Sequence, residues 1–244
     1  MYFESRAAAG QQLADELTKT VGDEPSVVVA LSSGAVVVGE QIAARLDCPI
    51  VMLLTEEVML PQEPTPVGGI TSGGVFSYNT EYTDSQLEEF IMEYHGVIEQ
   101  DKLNKLQRLH REVSQEEIIS PSLLKRRNVI LVSDGISGGF VLDLAMTYLK
   151  PIPHKKVIIA TPFADVPAVD RMHIMADGIV CLNVLENYIS TDHYYDLQDS
   201  LDRTEAVEHI SRVLRDWYAS RPLSELEELK RASPRASESV ASAA

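Results

Sequence analysis

Cysteine and tryptophan are nearly absent from this 244-residue chain, which has two of the first and one of the second. Cys48 and Cys181 each stand alone on an apolar, strand-like segment, the usual setting of a buried free thiol rather than of a disulfide framework or a metal site. His95, His110, His154, His173, His193 and His209 are scattered without ligand-like spacing, which argues against a structural metal. Basic residues are also few, 21 against 37 acids. The formal charge of −16 leaves no general field for holding nucleic acid or an anionic membrane. No apolar run is long enough to span a bilayer, and no basic-then-apolar leader follows Met1. The expectation is therefore a cytoplasmic chain without a membrane span. Hydrophobic residues make up 45%, enough for one large core or a core with a smaller appended unit.

Periodicity organises that material. Arg6 to Thr20 reads as an amphipathic helix with Ala9, Leu13 and Leu17 on one face, stopped by Gly22, Asp23 and Pro25. Ser26 to Leu31 follows as a buried strand, Gly34 to Leu46 as loop and helix, and Ile50 to Leu54 as a second parallel strand. Leu60 to Gly74 is an irregular excursion whose glycines suit a hairpin, and Tyr82 to Glu117 carries a helical stripe from Leu87 through Ile98 to Val113. Such a stripe serves core packing or a dimer contact. Later strands are expected at Val129–Val132, Val157–Ala160 and Gly178–Leu182, with helices over Asp170–Met175 and Glu205–Tyr218. The rhythm predicts an α/β three-layer sandwich with a central, mostly parallel sheet and a helical and hairpin insertion over 60–120. Residues 1–220 read as one domain and 221–244, rich in Ser, Ala and Glu, as a disordered tail.

The segment from Val129 to Val141, VILVSDGISGGFV, carries the most chemistry. A short apolar run ends in Ser133, Asp134, Gly135, Ile136, Ser137, Gly138 and Gly139, and a helical pattern begins after it. Glycines allow close approach by a ligand, and the following helix offers unpaired N–H groups suited to a phosphate. Asp134 is placed to accept hydrogen bonds from sugar hydroxyls. Gly-rich turns from strand to helix also occur where nothing binds, and spacing alone leaves both readings open. Ser32, Ser33, Gly34 and Ala35 also fall at the carboxyl end of a strand, the rim where ligands sit in such sheets. Both segments are expected to line one pocket.

The 129–141 segment resembles the phosphoribosyl-pyrophosphate (PRPP) loop of type I phosphoribosyltransferases. The wider chain is similar to a branch of predicted bacterial and archaeal members of that family. Phe3, Arg6, Ala9, Gly10, Leu13 and Ala14 keep its opening pattern, with Ser5 in an Asp place. Further likeness lies in VVVALSSGAVVVGEQIAARL, VGGITSGGV, KVIIATPFA and ADGIVCLN, and in Tyr188 with Tyr194. The resemblance spans about Phe3 to Leu214 and implies the type I phosphoribosyltransferase fold. It also implies an acceptor side at Tyr188, His193 and Tyr194, whose aromatic faces suit a planar acceptor, although tyrosines of this kind also close core edges.

The chain departs from the family at ligand-handling positions. Ser133 replaces the first of two acids, which leaves Asp134 as the catalytic candidate. Gly138 and Val141 stand where threonines meet the 5-phosphate, and Phe140 replaces a small residue. Ser32 and Ser33 replace the Pro-Arg pair of the pyrophosphate loop, and Glu56 and Glu57 replace an Arg-Lys pair. Catalysis of PRPP transfer rests on cations and N–H donors around the departing diphosphate, so these changes strike at it directly. The reading is a non-catalytic binding, regulatory or assembly module with degraded PRPP and pyrophosphate sites, retaining a pocket for a phosphorylated sugar or nucleotide. The alternative is an active transferase in which Asp134 holds the ribose and Glu56 or Glu57 holds magnesium, a cofactor required only in that case. An enzyme of another class reusing the cleft finds no partner base for Ser32, Ser33 or Ser133. Apolar stripes leave room for a homo-oligomer or a protein partner.

Overall fold

The computed structural model describes residues 2–113 and 119–222. The expected helix over 114–117 and the expected tail from 223 onward lie outside the described residues.

Five parallel strands form the central sheet: β1 (Ser26–Ala30), β2 (Ile50–Met52), β6 (Asn128–Val132), β7 (Lys156–Asp165) and β8 (Gly178–Leu185), in the spatial order β2-β1-β6-β7-β8. Alternation along each strand sorts its side chains into two cores. Val28, Ala30, Ile130, Val132 and Ile158 face one layer, which includes α1 (Arg6–Val21), α2 (Ser33–Leu46) and α7 (Arg203–Ala219). Val27, Val29, Val129, Leu131 and Ile159 face the other, with α4 (Pro121–Leu124), α5 (Phe140–Leu149) and α6 (Val166–Met175). This is the α/β three-layer sandwich expected from the sequence. β1 and β6 are neighbours whose connections leave in opposite directions, so the crevice beyond their carboxyl ends is the switch point where ligands enter such sheets.

The 55–78 segment is more regular than its prolines and glycines suggest. It forms a separate antiparallel sheet of β3 (Thr55–Val58), β4 (Gly68–Thr71) and β5 (Phe76–Tyr78). The long helix α3 (Asp84–Val113) follows, with a non-helical break at Tyr94. Its apolar stripe is only partly a packing face. Ile98 and Leu109 are fully buried, whereas Leu103 is 55% exposed. Among the described residues no helix is long and apolar enough to cross a membrane.

Two boundaries differ from the sequence reading in ways that matter below. The helix after β1 starts at Ser33, with only Leu31 and Ser32 between strand and helix, because the Ser32 hydroxyl caps it by accepting from the Ala35 amide at 3.0 Å. The helix expected at Asp170 starts at Val166 instead, capped by Asp165 with Pro167 in its first turn.

Candidate functional site

The crevice between β1 and β6 is built around Asp134, and its carboxylate is already engaged. The side chain of Arg6, from the first turn of α1, donates from Nε to Asp134 Oδ2 at 2.9 Å. Ser32 donates from Oγ to Oδ1 at 2.6 Å. Asp134 is 6% exposed and Arg6 1% exposed, so this is an ion pair in the interior rather than at a rim. Tyr195 closes the other side, donating its hydroxyl to the Asp134 backbone carbonyl at 2.7 Å while its ring lies 4.5 Å from the guanidinium carbon of Arg6.

Arg6 is held on every side. It pairs with Asp192 through one terminal nitrogen and with Asp199 through the other at 3.3 Å, and its own backbone N–H donates to Asp199 at 3.0 Å. Burial disfavours its charge, but the bonds to Asp192, Asp134 and Asp199 more than offset that and leave its pKa raised. Backbone bonds from the Phe3 amide to the Tyr194 carbonyl and from the Asp196 amide to the Phe3 carbonyl hold the segment before α1 against residues 194–196. Gly34 makes the arrangement sterically feasible. A Cβ there would lie 2.0 Å from Asp134 Oδ2 and 2.7 Å from Arg6 Nε.

The remaining loop residues are also committed. Ser133 donates to the Gly135 carbonyl at 2.8 Å, and Gly135 packs flat against Phe163 and Tyr188. Ile136, expected among the loop's ligand-binding residues, turns its side chain into the core, and its backbone pairs with β7, donating to Phe163 and accepting from Asp165. Ser137 Oγ donates to Asp165 Oδ2 at 2.7 Å and the Gly138 amide to the same oxygen at 3.0 Å. Gly138 and Gly139 both take positive φ, the conformation that lets the loop turn into α5. At the start of α2, the Ser32 hydroxyl is used twice and the Ala35 amide once, in the cap. Ser33 lines a cleft of about 100 Å³ with Leu54, Thr55 and Arg203.

The two glutamates do not form a metal pair. Glu56 and Glu57 are successive residues of β3 and point to opposite faces of its sheet. Glu56 pairs with Arg203 at 2.7 Å, and Arg203 also meets Glu112 at 2.7 Å. Among the described residues no group of three or more His, Cys, Asp or Glu is arranged to hold a metal ion. With Asp134 bound to Arg6 and Glu56 to Arg203, the donor set here does not fit magnesium. Arg203 is nonetheless a cation beside the serine loop that the sequence reading did not foresee, brought from α7 by tertiary packing.

The acceptor-side residues separate. Tyr194 is 6% exposed in a cluster with Phe3, Phe163 and Tyr195, its hydroxyl donating to the Asn187 carbonyl, so it closes the core. His193 lies outside against Tyr2, and Tyr188 is half-buried over Gly135 with its hydroxyl 2.6 Å from that of Thr191. Burial pushes the Tyr188 phenol up to about 12, and likewise the Tyr148 phenol and the Cys48 thiol. Each is held protonated by the fold, so the unfolded chain gives up these protons at lower pH. Stability from these groups is complete below about pH 9 and is lost as pH climbs toward the folded values. The melting temperature should therefore fall steadily between about pH 9 and 11.5. A flat profile would show that these groups stay exposed.

Sequence reasoning missed Asp165, Arg171, Asp192, Asp199 and Tyr195, and treated Arg6 only as part of a pattern. A signal existed for Asp165, since Asp-Val-Pro reads as a helix start.

No protein-family model matches the chain. Two Mycobacterium tuberculosis proteins, named "Putative phosphoribosyl transferase MT0597" (strain CDC 1551 / Oshkosh) and "Putative phosphoribosyl transferase Rv0571c" (strain ATCC 25618 / H37Rv), are each 27% identical over 217 residues, 88% of this chain and 48% of theirs. The chain spans about half the length of these curated relatives. The crystal structure of TT1426 from Thermus thermophilus has a TM-score of 0.67 at 24% identity, over 89% of this chain and 99% of that one, a likeness that speaks to fold alone. The chain is phosphoribosyltransferase-like.

Proposed function

We propose that this chain is a phosphoribosyltransferase-like binding or assembly module that does not transfer a phosphoribosyl group. The observation that supports this reading is the state of Asp134: buried, with one carboxylate oxygen bonded to Arg6 and the other to Ser32. A carboxylate serving ribose hydroxyls must present its oxygens to the crevice. Displacing Arg6 would leave a buried guanidinium facing fewer acids, at a cost of several kcal/mol that a sugar hydroxyl does not return. A pyrophosphate-release assay with PRPP, magnesium and a mixture of nucleobases tests this, and the expected result is no release above the rate without protein. Turnover that disappears with Asp134→Asn, in a variant that keeps its fold, would overturn the proposal.

One observation favours the alternative of an active, magnesium-dependent transferase. Arg203 sits beside Ser33 and Thr55 at the end of β1, where a diphosphate would need a cation. Its pairing with Glu56 and Glu112 sets two carboxylates against that role.

A further inference from the structure

The loop between β6 and α5 offers a hydroxyl and an amide to an anion, and an anion from the same chain holds both. Asp165 Oδ2 accepts from Ser137 Oγ at 2.7 Å and from the Gly138 amide at 3.0 Å, while Oδ1 accepts from the Ala168 amide at 2.8 Å as the cap of α6. One carboxylate thus serves both the start of a helix and the turn of the Gly-rich loop. Arg171, further along α6, reaches back over the same turn and donates to the Gly138 carbonyl at 3.2 Å. The same guanidinium lies 3.4 Å from Asp143 in the first turn of α5 and bonds Thr80, just ahead of α3.

We propose that Asp165 is an autoinhibitory anion: its carboxylate occupies the donors of the Gly-rich loop and excludes a phosphate monoester, and Arg171 fastens the closed loop to the segment before α3. The proposal rests on the reading of a closed site given above and supplies a cause for it that is separate from Asp134. Two negative groups cannot share one hydroxyl and one amide, and repulsion between them adds to the lost bonds. Replacing Asp165 by Asn leaves an oxygen to cap α6, since Asn is as good a cap as Asp. It removes the charge, and the amide group cannot accept at both loop donors while capping. The freed hydroxyl and amide are then available to a phosphate, with Arg171 close enough to contribute its charge.

The test is calorimetric titration of wild type, Asp165→Asn and Asp165→Asn/Ser137→Ala with ribose 5-phosphate, with circular dichroism and melting curves to show that each is folded. The expected result is that Asp165→Asn binds at least about tenfold more tightly than wild type and that the added Ser137→Ala removes most of the gain. If Asp165→Asn and wild type are equally inert, the autoinhibitory role is overturned while the closed-site reading stands. Tight binding by wild type itself would overturn both.

Discussion

Replacing Arg6 by Met is expected to lower the free energy of unfolding by about 3–5 kcal/mol, read as a shift in the urea midpoint with an unchanged slope. The side chain is 2% exposed and is the shared partner of Asp134, Asp192 and Asp199. Without it Asp134 remains in the interior with only the Ser32 hydroxyl for its charge, and two further carboxylates lose their common cation. Asp134→Leu alone should cost less, because Arg6 keeps two acids. The double variant Arg6→Met/Asp134→Leu should fall short of the sum of the singles by about 0.5–3 kcal/mol, since residues in direct contact couple on that scale. Additive effects would mean that the two side chains do not meet. A loss under about 1 kcal/mol for Arg6→Met would place the guanidinium in solvent, where ion pairs contribute little.

Gly34→Ala is expected to destabilise by at least about 1–3 kcal/mol, the cost of forcing atoms into a packed interior. The added Cβ would stand 2.0 Å from an Asp134 oxygen. That oxygen belongs to a short, charged side chain fixed at both ends, so it has little freedom to yield. Gly96 supplies the control. It lies within α3 and has nothing within 4 Å of a built Cβ, so Gly96→Ala should stabilise by roughly 0.5–1 kcal/mol through helix propensity. Equal responses at the two glycines, measured by denaturant unfolding, would contradict the crowding at Gly34.

The fold was legible because burial leaves a strong mark on sequence. Runs such as Val27–Val29 and Val129–Val132 are apolar at every position because both faces of a central parallel strand are covered, and the helices between them keep a spacing of three and four. The antiparallel sheet of β3, β4 and β5 was harder to read, since its strands are three or four residues long and rich in glycine and polar side chains. The stripe of α3 misled in part because it was read as one face: Leu109 lies about three turns from Ile98 on the same side and both enter the core, whereas Leu103 falls on another side and is exposed.

The site was legible as a set of missing groups and illegible as a set of replacements. Ser32, Ser33, Ser133, Gly138 and Val141 mark losses only against the pattern of the family that the sequence resembles. What fills their places comes from far along the chain: Arg6 lies 128 residues from Asp134, and Arg203 lies 147 from Glu56. Periodicity reports on neighbours within an element and carries nothing about which distant charge will answer which. Asp165 is the intermediate case. Its capping role is written in Asp-Val-Pro, while its second role, at Ser137 and Gly138, depends on β7 running past the loop.

Isothermal titration calorimetry of the folded protein with PRPP, in the presence and absence of magnesium, tests the closed site most directly. With Asp134 bound to Arg6 and Ser32, and Ser137 and Gly138 bound to Asp165, the expected result is no binding heat up to millimolar ligand in either condition. Magnesium-dependent binding at micromolar affinity would contradict it and show that these internal bonds open to the ligand.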